Sequence, residues 1–130
     1  MTAPTRSTVA IFAAQTITPG GTKAAPAANG AGPWVDVRGL NGGEIAWSVK
    51  NGSSAPGVQG QFTLQIADAV DGNGVAAYAT DLWTGGGDTV ASSETTGVVP
   101  LPATASFVRA LNYGNTTNSV TFRHQLFAKA

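Results

Sequence analysis

Apolar and polar residues alternate along most of this 130-residue chain, in short runs separated by turn-forming dipeptides. The run from Glu44 to Lys50 places Ile, Trp and Val on one side, and the run from Gln61 to Ile66 does the same with Phe, Leu and Ile. A period of two is typical of antiparallel strands with one buried face and one wet face. No stretch repeats its apolar residues at the spacing of an amphipathic helix. The alternation therefore predicts an all-β fold.

Asn-Gly dipeptides between the runs tolerate the positive φ angles of tight turns. Weaker alternation predicts further strands over 7–17, 34–38, 75–83, 89–96, 105–113 and 119–128. In the first and last of these, the residues expected to face the core are Val9, Ile11, Ala13, Ile17, Val120, Phe122, His124 and Leu126. Seven or eight short strands with regular turns predict a two-sheet antiparallel β-sandwich, jelly-roll-like in topology. An up-and-down barrel is the structural alternative.

One segment interrupts this rhythm. Residues 18–33 consist mainly of Gly, Ala and Pro and carry a single charge. Loops of this length are uncommon inside compact domains and are usually functional or mobile. The segment separates an N-terminal strand or arm, residues 1–17, from residues 34–130, and the body and that strand together form one sandwich domain. We expect the strand either to pack on its own body or to reach a neighbouring subunit.

Charge and cysteine content exclude several classes of function. Seven basic and seven acidic residues make up 11% of the sequence and leave a net charge of zero, and there is no cysteine. A neutral, sparsely charged chain has no electrostatic footprint for nucleic acid or anionic membranes. Without cysteine it forms neither disulfides nor thiolate zinc sites. We also expect no membrane span and no signal peptide, since no apolar run has the required length or flanks.

Candidate catalytic and metal-binding groups are few. His124 is the single histidine, and no G-x-S-x-G motif accompanies it, so a hydrolase triad is not predicted. Asp68, Asp71 and Asn73 offer oxygen ligands for calcium, but their spacing fits an Asx turn better than an EF-hand loop. The Gly72-x-Gly74 pair lacks the helix of a dinucleotide-binding loop. We therefore predict a protein that is not an enzyme and has no metal or cofactor.

Four aromatic residues fall on the polar side of their strands or in turns: Trp34, Trp83, Tyr113 and Phe127. Exposed Trp and Tyr side chains dominate the energy of protein interfaces, so these four are the interface candidates. The alternative is that each fills a corner of its own core. Together with a surface of short, uncharged side chains, they favour a protein that packs permanently against other protein.

The opening Ser7-Thr8-Val9-Ala10-Ile11-Phe12-Ala13-Ala14 and the strand-turn-strand close over residues 107–122 resemble small β-rich virion structural proteins of tailed bacteriophages. Within that group the chain is most similar to capsid decoration (cement) proteins. The resemblance implies a homo-oligomer that is made in the bacterial cytoplasm, binds the major capsid protein on the capsid exterior and stabilises the shell. It implies no catalytic or ligand residue, and no nucleic-acid, membrane or small-molecule partner.

Two other functions stay open. The first is a tail, baseplate or head-fibre component of the same kind of particle. The second is a carbohydrate-binding β-sandwich module in which Trp83, Trp34 or Tyr113 provides a stacking surface for sugar rings.

Overall fold

A computed structural model describes residues 6–129, and these residues form ten β-strands and no helix. In chain order the strands are β1 (Arg6–Ile17), β2 (Val35–Asp36), β3 (Gly43–Asn51), β4 (Gln61–Ala67), β5 (Ala69–Val70), β6 (Ala76–Ala77), β7 (Thr80–Gly86), β8 (Glu94–Leu101), β9 (Phe107–Tyr113) and β10 (Val120–Lys129).

Eight of these strands form two four-stranded antiparallel sheets. Sheet A has the order β1-β10-β3-β8 and sheet B the order β2-β9-β4-β7, while β5 and β6 pair with each other as a separate hairpin. The first and last strands are neighbours, and successive strands of the sandwich alternate between the sheets except for β4 and β7, which pair with each other in sheet B. This interleaved order is that of a jelly roll made of two Greek keys. The predicted two-sheet β-sandwich is thus confirmed.

The core lies between the sheets, where alternation predicted it. Ile45, Val49 and Phe62 are almost fully buried, as are the inward residues of β10: Val120, Phe122, His124 and Leu126. In antiparallel pairs the residues directly opposite each other share a face, so the register of β3 against β10 aligns these side chains into one layer. Burying this apolar layer stabilises the fold by roughly 25 cal/mol per Å² removed from water.

Strand β1 departs from strict alternation. Ala13 was expected in the core but is exposed, whereas the neighbouring residues Ile11 and Phe12 are both buried. Two register shifts against β10, one on each side of Phe12, insert extra residues into β1. A β-bulge turns the following side chain to the other face of the sheet, which explains why the prediction for Ala13 was wrong.

Two predicted strand boundaries were also wrong. The expected strand 75–83 is divided between β6 and β7, and the expected strand 89–96 begins at Glu94 and extends to Leu101. Residues before Glu94 form a turn instead, because the Asp88 carboxylate accepts hydrogen bonds from the Ser93 hydroxyl and the Val90 amide. Strand β8 contains Pro100, which lacks an amide hydrogen, and it tolerates this residue because it lies at the edge of sheet A.

Residues 18–33, hereafter the covering segment, do not extend away from the body. The Asn112 amide donates to the Gly30 carbonyl at 2.7 Å, and the Gly32 amide donates to the Ala110 carbonyl at 3.1 Å. A Cβ atom at Gly30 would lie 2.4 Å from the Asn112 carbonyl oxygen, so this close approach requires glycine. The end of the segment thereby continues sheet B alongside β9.

The rest of the covering segment crosses the outer face of sheet B. The Gly114 amide donates to the Gly21 carbonyl at 3.1 Å, which attaches the segment at the end of β9. Lys23 reaches the Asp81 carboxylate on β7, at the opposite edge of the sheet. Strand β1, which precedes the segment, pairs with β10 of the same chain. Its exchange with a neighbouring subunit stays a prediction.

Candidate binding surfaces

The outer face of sheet B, hereafter the covered face, is closed by the chain itself over β9 and the middle of β4, whereas Asp81 and Thr84 on the edge strand β7 stay exposed. Thr63, Leu111 and Tyr113 point away from the core in the strand register, yet they are only 0%, 6% and 8% exposed. The Thr63 hydroxyl lies 2.9 Å from the Tyr113 hydroxyl and 3.0 Å from that of the exposed residue Thr84, so the two buried hydroxyls, those of Thr63 and Tyr113, are paired. Tyr113 was one of the four interface candidates, but it is buried next to the point where Gly21 is bonded to Gly114, so the alternative of a place in the protein's own packing holds for this residue.

Trp34 lies at the rim of the covered face and is half-buried. The Arg109 guanidinium is 4.5 Å from the centre of its ring, a cation–π contact that occupies one face of the indole. Arg109 Nε donates to Gln65 Oε1 at 2.9 Å, and Gln65 Nε2 donates to Asp81 Oδ1 at 2.9 Å. Hydrogen bonds from Lys23 and then Gln65 lower the pKa of Asp81. Arg109 on β9, Gln65 on β4 and Asp81 on β7 therefore form a row of side chains that hydrogen-bond to one another.

Trp83 is the most exposed of the four aromatic candidates, at 41%. It lies on the edge strand β7, with its ring 5.8 Å from the rings of Trp47 and Phe62. A Cβ atom at Gly85 would lie 2.2 Å from the Trp83 ring, so glycine at that position makes room for the indole. Trp83 therefore both packs against the core and presents one side to solvent.

The outer face of sheet A, hereafter the open face, has no segment of the described chain lying across it. Val98 on β8 is 59% exposed, and the outward residues of β3 and β10 include Ala46, Ser48 and Gln125. Phe127 is half-buried near one end of this face, where the Arg6 guanidinium lies 5.5 Å from its ring centre. The open face thus combines short side chains with several charged ones and one large aromatic group.

A groove runs beside Phe127 at the end of the open face. It has a volume of about 460 Å³, and the residues that matter for its chemistry are Arg6, Glu44, Phe127, Lys129 and the Gly42-Gly43 pair. Gly42 has a φ of +69°, and a Cβ atom at Gly43 would lie 2.2 Å from the Phe127 carbonyl oxygen, so the groove wall requires glycine. Hereafter this is the Phe127 groove.

Sequence reasoning missed the most exposed aromatic residue. Tyr78 is 87% exposed and has a φ of +54°, a conformation that costs a non-glycine residue free energy. It follows the β5–β6 hairpin, whose tip carries Val75 at 64% exposure. The Asn73-Gly74 turn signalled a hairpin here, but the sequence contains nothing that tells a projecting hairpin from one folded on the body.

The other polar candidates have local structural roles. His124 is fully buried, its Nε2 lies 2.9 Å from Asn112 Oδ1, and burial lowers its pKa to about 3. Asp71 Oδ1 accepts hydrogen bonds from the amides of Asn73 and Val75 at 2.8 and 3.0 Å, which is the predicted Asx turn.

Within residues 6–129 no three His, Cys, Asp or Glu side chains are grouped closely enough to hold a metal ion. The described part of the chain also has no helix of the length and hydropathy that crossing a membrane requires.

Comparison with solved structures identifies a similar fold in a bacterial adhesin. The chain aligns with the K3 cleaved adhesin domain of Lys-gingipain from Porphyromonas gingivalis at a TM-score of 0.51 and 13% sequence identity. The alignment covers 75% of this chain and 60% of the adhesin domain, so the chain spans less than two thirds of that structure. No protein-family model and no curated protein matches the sequence. At this identity the similarity shows the β-sandwich fold alone.

Proposed function

We propose that this protein is a non-enzymatic structural component of a tailed-phage virion that binds the capsid exterior as a decoration protein and stabilises the shell. The observation that carries the proposal is the open face: the outer side of sheet B is partly covered by the protein's own chain, whereas the outer side of sheet A is exposed and so available to a partner. The resemblance of residues 7–14 and 107–122 to phage virion proteins supplies the kind of partner.

The dimensions of the open face suit a protein interface. Four strands about 4.8 Å apart and roughly nine residues long make a surface of about 19 by 30 Å. That is about 570 Å², most of the roughly 800 Å² that each partner buries in a standard interface. The remaining area would come from the loops at the ends of the sandwich.

The chemistry of the open face also favours adhesion. Thr, Ser and Ala side chains lose little conformational entropy when a partner covers them. Six charged side chains project from this face, two of them acidic and four basic, so only a small net positive charge has to be matched by a partner: Glu44, Glu94, Lys50, Arg123, Arg6 and Lys129. A decoration protein that binds only the assembled shell stabilises it by mass action. The stabilisation grows with the logarithm of the free protein concentration divided by the dissociation constant.

The test begins with virions of the phage that encodes this chain. Quantitative mass spectrometry is expected to find hundreds of copies per particle, and particles that lack the chain are expected to lose their contents at a lower temperature. A handful of copies would point to the tail or baseplate instead. Particles without the chain that withstand heat and chelators equally well would contradict the proposal.

Two variants locate the binding surface. Val98→Glu places a charge on the open face at a site that is 59% exposed, and Val58→Glu is the matched control on a loop at 43% exposure. We expect Val98→Glu to weaken rebinding to stripped particles at least tenfold, the effect of about 1.4 kcal/mol. Val58→Glu should rebind like the wild type, and equal binding by both variants would exclude the open face.

Carbohydrate binding is the second candidate, and the exposure of Trp83 favours it. Tyr113 is buried and one face of Trp34 is occupied by Arg109, so Trp83 is the candidate with the most accessible ring. Sugar rings stack on such apolar aromatic surfaces. A glycan array should then show binding that Trp83→Ala abolishes and Trp83→Tyr retains in part. An array on which the wild type binds nothing would remove this candidate.

A further inference from the structure

The β5–β6 hairpin projects from the body of the sandwich. Of the fourteen residues from Asp68 to Asp81, only Val70 and Ala76 are half-buried, and the others are exposed. The hairpin pairs with itself through Ala69–Ala77 and Val70–Ala76. Its conformation is defined by the Asp71 turn and by the Asp68 amide, which donates to the Ala77 carbonyl at 3.2 Å.

This hairpin carries features of an interface anchor. A two-stranded hairpin by itself is marginally stable in water and normally needs a packing surface. Here Val75 and Tyr78 turn 64% and 87% of their surface to solvent. Tyr78 also has a positive φ, a strain that persists in proteins mainly where the position is used. A fully presented tyrosine is among the side chains most often found as binding hot spots.

The charges around the hairpin specify its partner. Asp68 and Asp71 are the charged residues between positions 68 and 80, both are exposed, and within residues 6–129 neither forms an ion pair. A complementary site therefore has an apolar cavity for the tyrosine ring and a basic rim. The Phe127 groove of this chain has both properties, with Phe127 as its apolar wall and Arg6 and Lys129 beside one acidic residue, Glu44.

We infer that the Tyr78 hairpin of one copy docks into the Phe127 groove of a second copy. The inference rests on the proposed function in one respect, which is that a decoration protein acts as an oligomer. The contact joins two different patches, so it is heterologous and produces closed rings where the rotation closes and chains where it does not. Asp68 and Asp71 then lie near Arg6 and Lys129 of the neighbour, and the two aromatic rings share the groove.

The experiment measures self-association of the purified chain, without virions, by sedimentation velocity over a concentration series. Tyr78→Gly removes the ring and relieves the positive φ, so this variant keeps or gains folding stability while losing the contact. We expect its self-association to be weaker by about 30-fold, the effect of a hot-spot side chain. Val90→Ala, at another site that is 61% exposed, is the matched control and should associate like the wild type.

Charge reversal identifies the second surface. Asp68→Lys and Lys129→Glu are each expected to weaken association, and the double variant is expected to recover most of it because the ion pair is restored with opposite polarity. A wild-type chain that remains monomeric up to about 1 mM overturns the inference. Association that Tyr78→Gly leaves unchanged, or a double variant as weak as the single ones, overturns it as well. These readouts use the chain alone, so they are independent of whether virions contain it.

Discussion

The two outer faces of the sandwich show the same alternation in sequence and opposite exposure in the structure. On the covered face, Thr63 and Leu111 point outward and are 0% and 6% exposed. On the open face, Val98 points outward and is 59% exposed. Alternation therefore establishes which side of a strand meets the core, but it does not establish whether the other side meets water. That depends on what the rest of the chain covers.

This difference bears directly on function. A face covered by its own chain contributes to folding stability, whereas an uncovered face is available to a partner. Substitutions on the two faces should accordingly separate into those that lower the free energy of unfolding and those that lower binding. Measurements of folding stability and of hydrogen exchange test this separation.

Acid should lower the free energy of unfolding, because His124 is buried in the core between the two sheets. The pKa of His124 is about 3 in the folded chain and about 6.5 when unfolded, because burial disfavours the imidazolium. Below pH 6.5 the unfolded chain binds a proton that the folded chain does not, so stability is full above that pH and is lost as the pH falls toward 3. From this group alone, we expect urea unfolding to show a loss of about 4 kcal/mol between pH 7 and 3.5.

The control is His124→Gln, which removes the titrating group from the same position. Its absolute stability is not the readout. Its free energy of unfolding should vary less with pH than that of the wild type over the same range, and identical pH profiles would show that His124 does not contribute.

Leu111→Ala and Val98→Ala compare the two faces directly. Leu111 is packed under the covering segment, so truncation should lower the free energy of unfolding by about 2–4 kcal/mol. Val98 is mostly in water on its own sheet, and its truncation should change stability by less than about 0.5 kcal/mol. Chemical denaturation of both variants checks this, and similar losses would mean that the faces do not differ in cover.

Gly30→Ala tests how closely the covering segment approaches β9. An added Cβ would lie 2.4 Å from a backbone carbonyl oxygen, which cannot move aside as a side chain can. Overpacking of this kind costs about 1–3 kcal/mol. Gly39 has nothing within 4 Å of an added Cβ and is the matched control, so Gly39→Ala should leave the thermal midpoint nearly unchanged. Equal midpoints for the two variants would contradict the close contact.

The smallest effect is expected from Lys23→Ala, which removes the link between the covering segment and Asp81. Both side chains are about half exposed, so the ion pair adds little to global stability and the unfolding midpoint should not move measurably. The Gly114 amide, which donates to the Gly21 carbonyl, should exchange its hydrogen severalfold faster as the segment opens locally. Unchanged exchange would show that the segment is held by its backbone contacts alone.

Much of the fold was predictable from local pattern. Alternation correctly assigned β3, β4 and β10, including the inward position of His124, because each strand presents one side to the core along its whole length. The errors occur where the local pattern is broken by geometry. Because of the bulges in β1, Phe12 is buried and Ala13 is exposed, the reverse of the prediction. Because of the Asp88 turn, β8 begins at Glu94 and not at Thr89.

The binding surfaces were less predictable. Phe127 lies on the polar side of its strand and is partly accessible, as the sequence indicated. Trp83 is also partly accessible, but it lies on the core side of the edge strand β7, and Tyr113 is buried. Tyr78 was not a candidate, because its exposure results from a hairpin that projects instead of packing. Neither the cover over Tyr113 nor the projection of Tyr78 has a sequence pattern of its own.

The local sequence pattern is enough to establish an all-β chain, the positions of most strands and the side of each strand that faces inward. These properties depend on residues a few positions apart, and a period of two in side-chain direction makes them visible in the sequence. Three properties arise only when the chain folds: the jelly-roll order, the partial cover that residues 18–33 provide over one outer face, and the exposure of the other face. Those properties depend on contacts between distant residues, such as Gly21 with Gly114 and Lys23 with Asp81, which local periodicity does not encode.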